Sequence, residues 1–420
     1  MRLVISLVLS AATSLQGAGR VLGVWQDCLG VEVEKPSGSS TRLWLLRVGY
    51  YKLTRAKEQA ADWVWIVDHV GQLGQEKCLV IVGIRLSALP AEGKSLTHVD
   101  VEPIALCPVA TSNGEVVHQQ LEAACKQTGV PREILSDQGS DLAKGMRLFC
   151  EAHPETSAVY DIKHKVATVL KRELGAERAW QEFSTQASQT IARVQQTALA
   201  ALAPPRQRRK ARYMNVAELV SWGGHIMRYL DGEGASQPDW DPHRVEQAVG
   251  WVRQYRPELE QWRQLVEVST IVEQFVKIHG VTGGGALQLQ ERLAETGTLP
   301  RTQHLRAELL QFVTAEGAKA KVGERLVGSS EVIESLFGKW KHLEGEQARS
   351  GLTGLVLALG ALIAPPTPEV IKQALESTPT KTVLAWCREK LGKTVQTLRR
   401  TLFAAPCKTE QKQDQLPLAA

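Results

Sequence analysis

Two short apolar runs, rich in β-branched and aromatic residues, constrain the fold of this chain most. The runs at 63–67 and 78–84 are separated by a polar turn that contains glycine. This pattern is typical of two buried strands joined in a hairpin. A further run at 101–109 predicts a third strand, so the three are expected to form a meander.

After the third strand, the pattern alternates between helices and single strands. A helix is predicted over 115–128, a short strand over 133–135 and a helix over 142–151. A last short strand over 158–160 then leads into a helix over 164–174. We therefore expect an α/β domain with a mixed sheet and flanking helices.

The N-terminal part, 1–58, predicts short helices. Ser14 can cap one helix, and a second helix over 41–48 carries Arg42 and Arg47. The pair is either a helix-turn-helix, whose second helix and its arginines would enter a major groove or cross phosphates, or a plain helical cap on the next domain.

The rest of the chain divides by composition and periodicity. Residues 59–175 would form the first part of the sheet domain, and 176–325, rich in Gln, Ala, Arg and Glu with helical periodicity, a large helical insertion. Residues 326–405 would supply the remainder of that domain and C-terminal helices. The polar tail, 406–420, is predicted to be disordered.

One stretch of the insertion is strongly basic. It places five cations within seven residues beside a proline turn, which suits contact with phosphates, and a solvated loop is the plainer alternative. The net charge of +5 allows an anionic partner without requiring one. The five cations are Arg206, Arg208, Arg209, Lys210 and Arg212.

Several classes of protein are disfavoured by the sequence. The seven cysteines are widely spaced and form no CxxC pair, and no histidine lies near them at the spacing of metal ligands. We therefore expect reduced thiols in the cytoplasm and no tightly held zinc. No run of 18 or more apolar residues occurs, which argues against a membrane-spanning helix. The first residues resemble a short signal peptide, but apolar residues continue at helical spacing after them, which favours a buried first helix.

Acidic residues follow two of the predicted strands. If those strands are neighbours, Asp68 and Asp137 project from the same edge of the sheet. Glu334, on a helix with an apolar face, is the best third acid, with Glu331 as its competitor, and Lys341 falls on nearly the same side of that helix. Mg²⁺ prefers such oxygen ligands, although each acid alone could be a turn former or a solvated charge.

Four segments of the chain resemble the motif blocks of DDE transposases of bacterial insertion sequences. The resemblance extends over roughly residues 10 to 400, and it implies a ribonuclease-H-like catalytic core whose third acid lies on a helix beyond an insertion. The matching segments are 65–69, 134–141, 160–165 and 333–341.

The resemblance also implies roles for individual residues. Asp68, Asp137 and Glu334 would be the catalytic triad and would hold two Mg²⁺ or Mn²⁺ ions, and Lys341 would contact DNA. The implied activity is cleavage of transposon ends and strand transfer into target DNA by two-metal phosphoryl transfer. We expect a homodimer or higher oligomer on DNA, associated with the nucleoid.

Two features near the triad leave alternatives open. Val327 and Ser330 stand where many relatives have Tyr and Arg, so the subfamily and its terminal DNA sequence are not predicted. Asp161 and His164 either support the triad or only cap a helix. The alternative functions are a metal-dependent nuclease of the same fold and an inactive, transposase-derived DNA-binding protein.

Overall fold

The chain is described here from a computed structural model. It describes residues 1–30, 32–71, 73–207, 213–233, 240–345, 351–364 and 366–404. Four of the five clustered cations (Arg208, Arg209, Lys210 and Arg212) and the predicted tail at 406–420 lie outside the described residues. Within those residues, no helix is both long enough and apolar enough to cross a membrane.

The described residues ahead of the sheet form helices α1 (Arg2–Ser10), α2 (Leu15–Leu29) and α3 (Gly38–Thr54). Ser14 caps α2 through a 3.0 Å hydrogen bond from the Gly17 N–H, and Gly30 ends α2 in the left-handed conformation (φ 66°). Among residues 40–53 of α3, all of which the structure describes, none is exposed. A helix enclosed in this way has no free face for a DNA groove, so the arrangement favours the helical cap.

The central sheet contains β1 (Trp63–Gly71), β2 (Lys77–Arg85), β3 (Glu102–Val109), β4 (Glu133–Ser136) and β5 (Ser157–Tyr160), in the order β3-β2-β1-β4-β5. The first three strands form an antiparallel meander, and β4 and β5 run parallel to β1. The hairpin of β1 and β2 continues beyond the apolar run, to the pair Gly71 and Lys77. Asp68 therefore lies within β1 and not at its end, where the sequence placed it.

Helices cover both faces of the sheet. Helices α4 (Gly114–Thr128) and α5 (Ser140–Ala152) pack on the face that carries Trp65 and Val67, and Phe149 of α5 is fully buried there. Val64 and Ile66 point to the opposite face, where α6 (Ile162–Gly175) packs. Because side chains alternate along a strand, Asp68 shares the face of Val64 and Ile66.

The region of the predicted insertion is helical. Its described helices are α7 (Arg178–Val194), α8 (Val216–Leu230), α9 (Pro242–Val249), α10 (Arg256–His279), α11 (Gly285–Arg292) and α12 (Pro300–Gly317). Aromatic rings 5.0–5.4 Å apart, centred on Phe183 and including Trp180, Trp251, Tyr255 and Trp262, form its core. Helix α10 also contacts α6, which joins this region to the sheet.

The chain then returns to the sheet. Helix α13 (Glu331–Glu344) contacts β1, and it is followed by α14 (Ala358–Leu362), α15 (Pro368–Ser377), α16 (Thr380–Lys390) and α17 (Val395–Leu402). Helix α3 lies against α14, α15 and α16. At the crossing of α3 and α14, a Cβ on Gly49 would lie 1.8 Å from the Leu357 carbonyl oxygen, so only glycine permits this approach.

Candidate active site

The topology of the sheet brings two aspartates to one edge. Strands β1 and β4 are adjacent and parallel, with Ile66 opposite Leu135. Asp68 and Asp137 follow those residues by two positions each, so both lie just beyond the last paired residues of β1 and β4. The N–H of Gly139 donates to Oδ1 of Asp137 at 2.9 Å and holds that carboxylate in the turn.

The segment that delivers the third acid is tethered to β4. Arg132 and Glu324 form a two-pronged ion pair, with nitrogen–oxygen distances of 2.9 and 2.6 Å. The buried Glu133 accepts a 2.9 Å hydrogen bond from the N–H of Val327. These contacts fix the path of the chain toward α13, and Val327 contributes to them through its backbone.

Asp161 is the third tether, and it is completely buried. One carboxylate oxygen accepts from the N–H of His164 at 2.8 Å and lies 2.9 Å from Nδ1 of the same residue. The other accepts from the N–H of Ser330 at 2.6 Å, and the Asp161 N–H donates to the Ser136 carbonyl at 3.0 Å. Burial raises the pKa of Asp161, but these hydrogen bonds lower it below its ordinary value. A charged Asp161 thus joins the end of β4 to the first turns of α6 and α13.

The first turn of α13 holds both candidate glutamates, which have different partners. Oε2 of Glu334 lies 2.6 Å from Nζ of Lys163, and its Oε1 is shielded from solvent without a hydrogen-bond partner among the described residues. Glu331 instead pairs with Lys277 of α10 at 2.5 Å. Oε1 of Glu334 is thus a shielded oxygen available for a further ligand, whereas the side chain of Glu331 is 45% exposed.

Three carboxylates interact at this edge of the sheet: Asp68, Asp137 and Glu334, called the carboxylate site below. Burial, and next the charge of Asp137, raise the pKa of Asp68 to about 7, and the charge of Glu334 also raises it. The N–H of His69, 2.6 Å from Oδ1 of Asp68, acts in the opposite direction. The accumulated negative charge is what a bound cation would neutralise.

His164 is the nearest cationic group to Asp137. Its Nε2 lies 3.9 Å from Oδ2 of Asp137. Burial lowers the pKa of His164, but the hydrogen bond with Asp161 and the charges of Asp161, Asp137 and Glu334 raise it above its ordinary value. The two residues singled out at the start of α6 therefore have contacts beyond the helix that they cap. Asp161 binds the N–H of Ser330, and His164 lies next to Asp137.

The proposed DNA-contacting residues are more widely spread. Lys341 lies on the exposed side of α13, and Arg206 is exposed in the insertion. Arg42 is half-buried near Cys387. Arg47 donates to the carbonyl of Thr378 at 2.6 Å and to that of Leu375. Since it satisfies the C-terminal end of α15, we leave Arg47 out of the DNA-contacting set.

The sequence did not single out two residues beside the site. Lys163 falls within the 160–165 block, and its contact with Glu334 could have been sought there. Glu273 of α10 has no such signal, because it comes from the insertion. Burial raises the pKa of Glu273 to about 7, while the charge of Lys163 lowers it and the charges of Asp161, Glu331 and Glu334 raise it.

Comparison with known proteins finds remote likeness among solved structures. No protein-family model and no curated protein matches the chain. Among solved structures, it is similar to the Drosophila P element transposase strand transfer complex, with 13% sequence identity, a TM-score of 0.39, and coverage of 93% of this chain and 92% of that chain. A likeness this distant establishes neither family nor activity.

Proposed function

We propose that this chain is a DNA transposase of the DDE type, with a ribonuclease-H-like catalytic core. The observation that supports it is the meeting of Asp68, Asp137 and Glu334, from three distant parts of the sequence, at one edge of a β3-β2-β1-β4-β5 sheet. Carboxylates gathered in this way serve metal-dependent phosphoryl transfer.

The residues present fit a pair of Mg²⁺ or Mn²⁺ ions. Their ligand atoms are all carboxylate oxygens, and Oε1 of Glu334 lacks a partner among the described residues. Asp68, Asp137 and Glu334 would hold the ions, with water and DNA phosphate completing the ligand sets. When bound, such ions activate a water or a DNA 3′-hydroxyl and stabilise the leaving oxygen.

The other residues of the site hold the three carboxylates in place and offset their negative charge. Asp161 holds the start of α13 against the end of β4, which keeps Glu334 within reach of Asp68. His164 places positive charge beside Asp137, and Lys163 pairs with Glu334 and offsets its charge. Lys341, exposed on the same helix, would contact a phosphate of bound DNA, and the basic stretch that begins at Arg206 would add contacts farther away.

The test uses the full chain and the DNA that flanks its gene on both sides. A plasmid carrying both flanks is incubated with the protein and Mg²⁺, and pre-cut flank ends are supplied in a second reaction. We expect cleavage at inverted repeats and joining of the pre-cut ends, both lost in EDTA and in Asp68→Asn, which should still bind DNA. Asp241→Asn, at the exposed cap of α9, serves as the control and should behave as the unaltered protein.

Two results would overturn the proposal in different ways. Cleavage without any joining of pre-cut ends would indicate a nuclease. DNA binding without cleavage, equal in the unaltered protein and Asp68→Asn, would indicate an inactive DNA-binding protein.

A further inference from the structure

A second group of potential metal ligands lies on the opposite face of the sheet, between α4 and α5. His118, Glu122 and Cys125 share one face of α4, because they are spaced i, i+4 and i+7. His153, the residue that ends α5, lies against that face. These four residues are called the α4–α5 cluster below.

The ligand atoms of the α4–α5 cluster are already close together. One atom each from Glu122, Cys125 and His153 lie within 4.8 Å of one another. Oε1 of Glu122 is 2.9 Å from Nε2 of His153 and 3.3 Å from Nε2 of His118. Tetrahedral zinc holds its nitrogen and sulfur ligands at roughly 2.0 to 2.3 Å, so small side-chain movements would bring the atoms of Glu122, Cys125 and His153 around one ion. His118 adjoins Glu122 but lies outside that group of three, so it would join them by a larger movement.

The packing of α4 against α5 fixes this arrangement. A Cβ on Gly145 would lie 2.4 Å from Cγ1 of Val117, so this glycine allows the two helices to approach closely. The ring of His153 packs on Phe149 at a tilt of 37°, with centroids 4.5 Å apart, and Phe149 is fully buried. His153 is therefore held against α4 by the core and not by the Glu122 contact alone.

The polar atoms of the cluster are incompletely satisfied. Nε2 of His118 is shielded from solvent, and its 3.3 Å contact with Oε1 of Glu122 lacks the geometry of a hydrogen bond. Burial, and next the charge of Glu122, raise the pKa of the Cys125 thiol to about 12. A divalent cation would satisfy the imidazole nitrogen and stabilise the thiolate, whose proton would pass to solvent on binding.

We propose that the α4–α5 cluster is a zinc site. Glu122, Cys125 and His153 supply three ligands and His118 the fourth, which closes the coordination sphere as in structural zinc sites. A sulfur, nitrogen and oxygen donor set favours zinc over Mg²⁺, which takes oxygen ligands. The ion would fasten the end of α5, and hence the start of β5, to α4. This inference departs from the sequence-based expectation of no tightly held zinc, and it is independent of the proposed transposase activity.

The test measures metal binding by the full chain. Protein freed of metal by a chelator is loaded with Zn²⁺ or Co²⁺ and dialysed. We expect one ion per chain and, with Co²⁺, the intense near-ultraviolet absorption of a thiolate ligand. Zn²⁺ should also raise the melting temperature, since a ligand that binds only the folded state stabilises it.

Two cysteine variants make the test specific. Cys125→Ser should lose the thiolate absorption and bind Zn²⁺ at least about tenfold more weakly, a loss of at least about 1.4 kcal/mol. Cys150→Ser removes a thiol of similar burial from α5, outside the cluster, and should bind as the unaltered protein does. Asp68→Asn should also keep the absorption, because the carboxylate site is on the other face.

Three outcomes would overturn the proposal. They are failure of the unaltered chain to retain Zn²⁺ or Co²⁺, equal retention by Cys125→Ser, and a thiolate absorption that is lost with Asp68→Asn but kept with Cys125→Ser. Melting temperatures measured without metal show whether Cys125→Ser folds. If it does not, His118→Gln gives the same comparison, since it should weaken Zn²⁺ binding while the thiolate absorption remains.

Discussion

The carboxylate site and the α4–α5 cluster lie on opposite faces of one sheet, and they are built in different ways. The carboxylate site gathers residues 68, 137 and 334 from distant parts of the chain, and backbone hydrogen bonds to buried acids keep them together. The α4–α5 cluster needs only one helical face and the end of a neighbouring helix. Substitutions far along the chain should therefore affect the carboxylate site, whereas the α4–α5 cluster depends on local packing.

Their donor atoms differ as well. The carboxylate site offers only oxygen, and negative charge accumulates around Asp68. The α4–α5 cluster mixes sulfur, nitrogen and oxygen, and Glu122 is flanked there by two imidazoles. Ligand chemistry thus assigns Mg²⁺ or Mn²⁺ to one and zinc to the other. If the carboxylate site depends on residues far along the chain, substitution of those residues should change its activity and its need for Mg²⁺.

The largest effect is expected from the third acid. Glu334→Gln keeps the size of the side chain but removes the charge that a metal needs. DNA cleavage should fall by more than the roughly 10- to 100-fold that loss of a supporting residue costs. Glu331→Gln is the matched control, three residues away on the same helix, and it should keep most activity because its partner is Lys277.

Cleavage rates in Mg²⁺ and DNA binding by gel shift measure this difference. Both variants should bind DNA and keep the circular dichroism of the unaltered chain. A dead Glu331→Gln beside an active Glu334→Gln would show that the other glutamate is the ligand.

A smaller effect is expected from the support that joins β4 to α13. Asp161→Asn retains a good helix cap, since Asn and Asp are nearly equivalent as caps. It loses the charge that binds the Ser330 N–H and the His164 ring. We expect cleavage to fall by roughly 10- to 100-fold and the half-saturating Mg²⁺ concentration to rise.

Asp241→Asn is the control for this substitution, because Asp241 caps α9 in an exposed position of the insertion. It should change neither quantity. If Asp161→Asn lowered only the melting temperature and left the Mg²⁺ requirement unchanged, Asp161 would stabilise the fold without positioning the carboxylate site.

The sheet was largely predictable because its strands contain short apolar runs, the first two of which are joined by a glycine-containing turn. The cap at Ser14 is also confirmed, since such a signal lies next to the helix that it bounds. The placement of Asp68 at the strand end was wrong, because pairing across the hairpin extends β1 through polar residues to Gly71. Burial of α3 depends on helices more than 300 residues away, and no local pattern reveals it.

The carboxylate site and the α4–α5 cluster also differ in how far the sequence predicts them. Asp68 and Asp137 could be predicted because each follows an apolar run, and the choice of Glu334 over Glu331 stays a prediction that the partners of the two glutamates support. The α4–α5 cluster was missed because Glu122 and Cys125 resemble any half-exposed helical face. His153 reaches them only when α5 packs on α4, so spacing in the sequence contains no sign of it.

The smallest effect is expected from Lys163, which pairs with Glu334 at 2.6 Å. Burial lowers the pKa of Lys163, but the hydrogen bond to Glu334 and the nearby acidic charges raise it above its ordinary value, so the group is a cation. A metal ion must compete with this ammonium for Glu334. Lys163→Met keeps most of the aliphatic stem and removes the charge.

The half-saturating Mg²⁺ concentration for cleavage by Lys163→Met should therefore fall, by at most about tenfold, which corresponds to about 1.4 kcal/mol. Lys277→Met removes the equivalent cation from Glu331, at 2.5 Å, and should leave the Mg²⁺ requirement unchanged. A higher Mg²⁺ requirement in Lys163→Met would mean that Lys163 orients Glu334 for the metal and does not compete with it. Lys163→Met should leave zinc binding by the α4–α5 cluster unaffected, because Lys163 belongs to α6, on the opposite face of the sheet.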